Sequence, residues 1–139
     1  MRIVSALGAL VIAVPAAAAP AQFDLHCAGT KTSYEDKKTT EPFETLIRVD
    51  LDKGVYCEGT CRSTRKIAEI AAAFILFESE RVDEPGRRTR REIAVDRVTG
   101  AYSGTVSYES RSVPYSLWAW DAQCEVGPFS GFPTFDTKF

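Results

Sequence analysis

Four cysteines, Cys27, Cys57, Cys61 and Cys124, constrain the fold of this 139-residue chain more than any other feature. An even number of cysteines in a chain bound for an oxidising compartment reads as two disulfides, and the first residues point to such a compartment. Arg2 gives a positive start, Ile3 to Val14 an apolar run, and Ala16 to Ala21 a small-residue stretch ending in Ala19-Pro20-Ala21. That is the pattern of an export signal cut after Ala21, making 1–21 leader and 22–139 the mature chain, periplasmic or secreted. The apolar run, broken by Pro15, is shorter than the roughly 20 residues a spanning helix needs, so no membrane span is expected in the mature part. Asp24-Leu25-His26 also lacks the apolar and small residues that precede an acylated cysteine.

Four cysteines allow three pairings. Cys57 and Cys61 can close a small loop across Glu58-Gly59-Thr60, and that spacing favours Cys27 with Cys124 for the second bridge. Such a bridge would bring the first and last strands together and close a loop of about 100 residues, worth about 4 to 5 kcal/mol in the chain-entropy model. The rival reading of Cys57 and Cys61 is a redox or metal pair. Redox motifs use two intervening residues, however, and the single histidine offers no second ligand set. No metal and no cofactor is expected.

The mature part, about 118 residues, is the size of one domain. Without Arg2 it has one fewer than the chain's 17 basic residues against 19 acidic ones. This mild negative balance argues against a dedicated nucleic-acid binder.

A motif occurs twice with the same spacing: Ile47, Val49, Asp50, Gly54, Tyr56 and Ile93, Val95, Asp96, Gly100, Tyr102. Alternating apolar residues run into an Asp, then a short polar stretch, a Gly and a new alternating run, which is how a hairpin with a left-handed Gly is written. The same period of two marks strands at Phe23 to Cys27, Ile47 to Leu51, Val55 to Cys57, Ala101 to Glu109 and Leu117 to Cys124, the last with Trp118, Trp120, Ala122 and Cys124 on one face. Residues 64–80 read either way. Ile67, Ile70, Ala71 and Phe74 fit a helical stripe, whereas Phe74-Ile75-Leu76-Phe77 reads as a buried strand, and antiparallel neighbours favour a strand from about Ala72 to Ser79. Thr30 to Pro42 is read as a polar connection and Val82 to Arg91 as a charged loop around Glu84-Pro85-Gly86, a type II turn candidate. Val126 to Phe139 is a tail whose Phe129, Phe132, Phe135 and Phe139 must dock or stay exposed. The expected fold is mainly β, an antiparallel meander of about six to eight short strands forming a small sandwich or partial barrel stapled by two disulfides.

Catalytic chemistry finds little support. His26 is the only histidine, no G-x-S-x-G elbow is present, and no carboxylate spacing singles out an acid–base pair. Asp50-Leu51-Asp52-Lys53-Gly54 lacks the later ligands of a calcium loop and reads better as a turn. Two sets of residues point to binding. Trp118, Trp120 and Phe129 are candidates to line a groove for a small apolar ligand or a sugar. Arg87, Arg88, Arg90 and Arg91 are candidates for an anionic group or an acidic protein partner of the envelope.

Through Phe23-Asp24-Leu25, Cys27 and Gly29-Thr30, then Arg48-Val49-Asp50-Leu51 leading to Cys57 and Cys61, then Asp96-Arg97 and Thr99-Gly100, and finally Gln123-Cys124-Glu125 with Pro128-Phe129-Ser130-Gly131-Phe132-Pro133, the chain resembles small signal-peptide-bearing periplasmic proteins of sphingomonad-like Gram-negative bacteria, a group with no known activity. The resemblance rests on cysteine and turn positions. It implies a periplasmic home and transfers no catalytic residue. The functional expectation is an exported non-catalytic binding or envelope-associated module. A protein-partner module such as an inhibitor is the alternative, and a small hydrolase using acidic residues the second.

Overall fold

Alternation along the chain becomes strand after strand in a computed structural model that describes residues 19–112 and 114–135. The expected leader up to residue 18, and Phe139 at the chain end, lie outside the described residues. The strands are β1 (Gln22–Tyr34), β2 (Lys38–Asp50), β3 (Val55–Glu58), β4 (Arg65–Lys66), β5 (Glu69–Ile70), β6 (Phe74–Glu84), β7 (Arg87–Asp96), β8 (Ala101–Ser110) and β9 (Ser116–Gly127), with no helix among the described residues. They form one antiparallel sheet in the order β4-β3-β2-β1-β9-β8-β7-β6-β5, curled into a half-barrel. Its two edges are tied together by one short segment. Arg65–Lys66 pairs with β3 while Glu69–Ile70 pairs with β6, and between them the Ile67 and Ala68 amides donate to Gly54 and Leu76 carbonyls at 2.9 Å each.

The curl has a cause in side-chain size. Across the inner face, Phe43, Gly29, Ala122 and Tyr102 lie in one cross-strand row, and the Phe43 and Tyr102 rings stack at 5.7 Å over the two small residues between them. One row on, Gly104 sits between Trp120 and Ile93. Small residues under large rings let neighbouring strands bend towards each other. The apolar core fills the tied end with Phe23, Leu25, Ile47, Val49, Tyr56, Ile75, Phe77, Val95 and Tyr102. A bulge between Leu76 and Glu78 shifts the β6–β7 register; Phe77 is buried, and the neighbouring Glu78 is bonded by Tyr56, Arg65 and Arg91.

Both expected disulfides are present, Cys27–Cys124 and Cys57–Cys61. Cys27 and Cys124 are direct cross-strand partners of β1 and β9, with Cα atoms 3.9 Å apart. The repeated motif is a repeated turn. Asp50 Oδ1 accepts from the Lys53 amide at 2.9 Å, Asp96 Oδ1 from the Val98 and Thr99 amides at 2.8 Å, and Gly54 and Gly100 take φ values of 64° and 75°.

Several expectations need correction. Six of the nine strands have ten or more residues, so the strands are not short. Thr30 to Pro42 is not a loose connection: it holds the ends of β1 and β2, paired as far as Tyr34 with Lys38. Val82 to Arg91 is the β6–β7 hairpin, with only Pro85 and Gly86 between strands and Gly86 at φ 84°, as a type II turn requires. Both segments hide their strands for the same reason. Their inner-face residues, such as Lys31, Thr39, Glu41, Glu84 and Thr89, are mostly polar, so alternation leaves no hydrophobic period to see. In 64–80 the helical stripe gives way to strands because Ile75 and Phe77 must enter a core already lined by β-sheet.

The turn aspartates make stability depend on pH. Burial pushes the Asp50 carboxyl up, but the Gln22 amide, the Lys53 amide and the Lys53 charge together hold it below the ordinary carboxylate value; the Thr99 and Val98 amides do the same for Asp96. A lowered folded-state pKa stabilises the fold above the unfolded value, about 3.9, and the contribution is lost as pH falls through the lower folded value. Melting temperature should therefore be flat from pH 7 to 5 and fall below about 4, less steeply in Asp50→Asn/Asp96→Asn. Parallel acid limbs in the variant and the parent would exclude these two groups as the cause.

Candidate ligand-binding face

Strand alternation decides which of the candidate residues share a surface. Trp118 and Trp120 lie on the inner face of the half-barrel, half buried, with Trp120 packed against the core and Lys31 Nζ 5.9 Å from its ring centre. Phe129 is elsewhere. It lies on the tail, edge-on to Phe132 at 5.2 Å, next to Ser130, whose amide donates to Asp24 and whose hydroxyl accepts from Arg48 Nε at 3.0 Å. Asp24 and Arg48 alternate with core residues, so the tail docks on the outer face, and the three aromatic candidates do not form one groove.

The arginines divide as well. Arg91 turns inward, where its guanidinium donates to Glu78 Oε2 at 3.0 Å. Glu78 Oε1 accepts from the Tyr56 hydroxyl at 3.0 Å and from Arg65, which also reaches Glu58 at 3.4 Å and lies over the Tyr56 ring. Burial first, then the Glu78 carboxylate, raise the Tyr56 phenol, so it remains a donor at any ordinary pH. This network braces β3, β4, β6 and β7 across the curl. Arg87 sits at the hairpin tip, 3.6 Å from Glu84.

Arg88 and Arg90 face outward, and here the register assembles something new. Arg90 lies directly opposite Arg81 across β6–β7, and Arg88 opposite Asp83. Asp83 pairs with Arg88 at 3.4 Å and more distantly with Arg81 at 3.9 Å; among the described residues Arg90 makes no ion pair. These residues, with Ser107, Glu109 and the exposed Tyr115, line a concavity of about 390 Å³. Two cations held face to face on a strand pair repel, which costs stability unless an anion lies between them.

The row containing Arg81 and Arg90 crosses six of the nine strands. Register places Lys38, Tyr34, Leu117, Ser107, Arg90 and Arg81 side by side on β2, β1, β9, β8, β7 and β6. The next row towards the tied end reads Thr40, Thr32, Ala119, Thr105, Glu92 and Ser79, and the one after it includes Thr30, Asp121, Ser103 and Ala94. A second concavity of about 390 Å³ lies over these two rows. The sequence reading missed Arg81, Lys38, Ser107, Tyr115, Asp121 and Glu92. One signal was available: once both flanks of Pro85-Gly86 are strands, folding the chain at that turn sets Arg81 against Arg90.

Among the described residues no group of His, Cys, Asp and Glu is arranged to hold a metal ion, and no helix is long and apolar enough to cross a membrane. Comparison with protein-family models, curated proteins and solved structures returns no match to this chain.

Proposed function

We propose that this chain is an exported, non-catalytic binding module that takes an anionic ligand on the outer face of β6, β7 and β8. The observation that carries this reading is the opposition of Arg81 and Arg90 across β6–β7, with Arg88 one row away, over a concavity shared with Ser107 and Tyr115. Guanidinium groups suit phosphate, sulfate and carboxylate because their fork matches the oxygens of those groups. Export is supported by the two disulfides, which persist in oxidising compartments.

A purely structural arginine and a ligand-reading one respond oppositely to removal. Arg90→Gln relieves a like-charge pair, so the melting temperature should stay the same or rise slightly. Its affinity for a polyphosphate probe should fall about tenfold, as expected from losing one charged hydrogen bond. Calorimetric titration at low salt measures the second effect, and binding by the parent protein should weaken as salt rises. If Arg90→Gln and Arg81→Gln both bind the probe as the parent does, this face is not the site.

A further inference from the structure

We propose that the ligand is an acidic glycan, lying along β8 with its anionic substituent between Arg81 and Arg90 and its hydroxyls on the two rows beyond. This rests on the anion-binding reading above and adds the chemistry of the ligand. The argument comes from what adjoins the arginines. Moving along β8 from Ser107 to Thr105 and Ser103, the flanking residues change from Arg90 to Glu92 on β7, and from Leu117 to Asp121 on β9. Glu92, Asp121, Thr30, Thr32, Ser103 and Thr105 line the second concavity. Among the described residues Glu92 and Asp121 make no ion pair.

A ligand that is anionic throughout would be repelled by these two carboxylates. A neutral polyol would leave Arg90 without an ionic partner and its repulsion with Arg81 unrelieved. A chain with both an acid group and hydroxyls matches both halves: carboxylates accept from sugar hydroxyls, serine and threonine hydroxyls donate or accept, and the guanidiniums take the acid. Three rows at about 6.6 to 6.8 Å per step span about 13 to 14 Å, room for two or three sugar rings. Tyr115, 55% exposed beside the arginines, offers an aromatic face for the apolar side of a ring.

The test uses the full mature chain and three probes of similar length: an oligogalacturonate, which has acid groups and hydroxyls; a neutral malto-oligosaccharide; and a polyphosphate, which has no hydroxyls. Calorimetry should rank the oligogalacturonate about tenfold or more above each of the others. The double variant Glu92→Ala/Asp121→Ala separates the ideas by sign. It should weaken oligogalacturonate binding about tenfold while leaving polyphosphate binding unchanged or stronger, because two repelling charges are gone. If polyphosphate binds as tightly as oligogalacturonate and the double variant strengthens both, the glycan inference fails and the anion reading stands. If no anionic probe responds to Arg90→Gln, both fail. If the neutral probe binds as well as the acidic one, the arginines have no part in recognition and the inference is overturned.

Discussion

Replacing Cys27 and Cys124 together by alanine is expected to lower the melting temperature by about 15 to 20 °C, the largest effect of any disulfide change in this chain. The bridge spans a sequence separation of 97. The chain-entropy model assigns such a loop about 4.7 kcal/mol, and a domain of this size loses about 4 °C per kcal/mol. Cys57–Cys61 spans a separation of 4, for which the same model gives about 2 kcal/mol. Thermal unfolding of the two double variants side by side is therefore an internal comparison. Equal losses would mean that local packing, not loop closure, sets the contribution of the long bridge. The bridge also crosses a strand pair that the sheet already holds, since β1 and β9 remain in register from Asp24 to Tyr34. For that reason the variant should keep its fold at low temperature and report a loss of stability.

The second large effect is expected at Gly29. An added Cβ there would lie 2.1 Å from the Asp121 carbonyl oxygen and 2.4 Å from the Ala122 Cα, both backbone atoms of β9. Backbone cannot swing aside as a long side chain can, so β1 and β9 must separate and the Phe43–Tyr102 stack above them must shift. Gly29→Ala should cost at least about 3 kcal/mol, or about 12 °C in melting temperature. Ala28→Ser, one residue earlier on the exposed face, should change stability by no more than about 0.5 kcal/mol. A Gly29→Ala protein that melts with the parent would show that the two strands do not approach this closely.

These two positions also mark how far the sequence reaches. The spacing of the cysteines favoured the pairing that forms, because Cys57 and Cys61 can close a small local loop and the other two then remain for each other. Nothing local marks Gly29. Its constraint comes from β9, nearly a hundred residues away, and appears only when the register is known. The tail shows the same limit. Its phenylalanines were legible as needing cover, but Asp24 and Arg48, which receive Ser130, belong to other strands.

What the amino-acid sequence determined by itself was local: the β class, the two Asp-to-Gly turns, the type II turn at Pro85-Gly86 and, through the favoured cysteine spacing, the two bridges. Each depends on residues a few positions apart or on the chemistry of one residue type, and backbone sterics act at that range. The tertiary structure alone decided which side chains form a surface. A six-strand row from Lys38 to Arg81 requires five registers to hold at once, and a slip of one residue in any of them would turn part of the row to the inner face. The half-barrel's curl, the burial of Phe77 and the bulge beside Glu78 fix those registers through core packing, which is a property of the assembled sheet rather than of any segment of it.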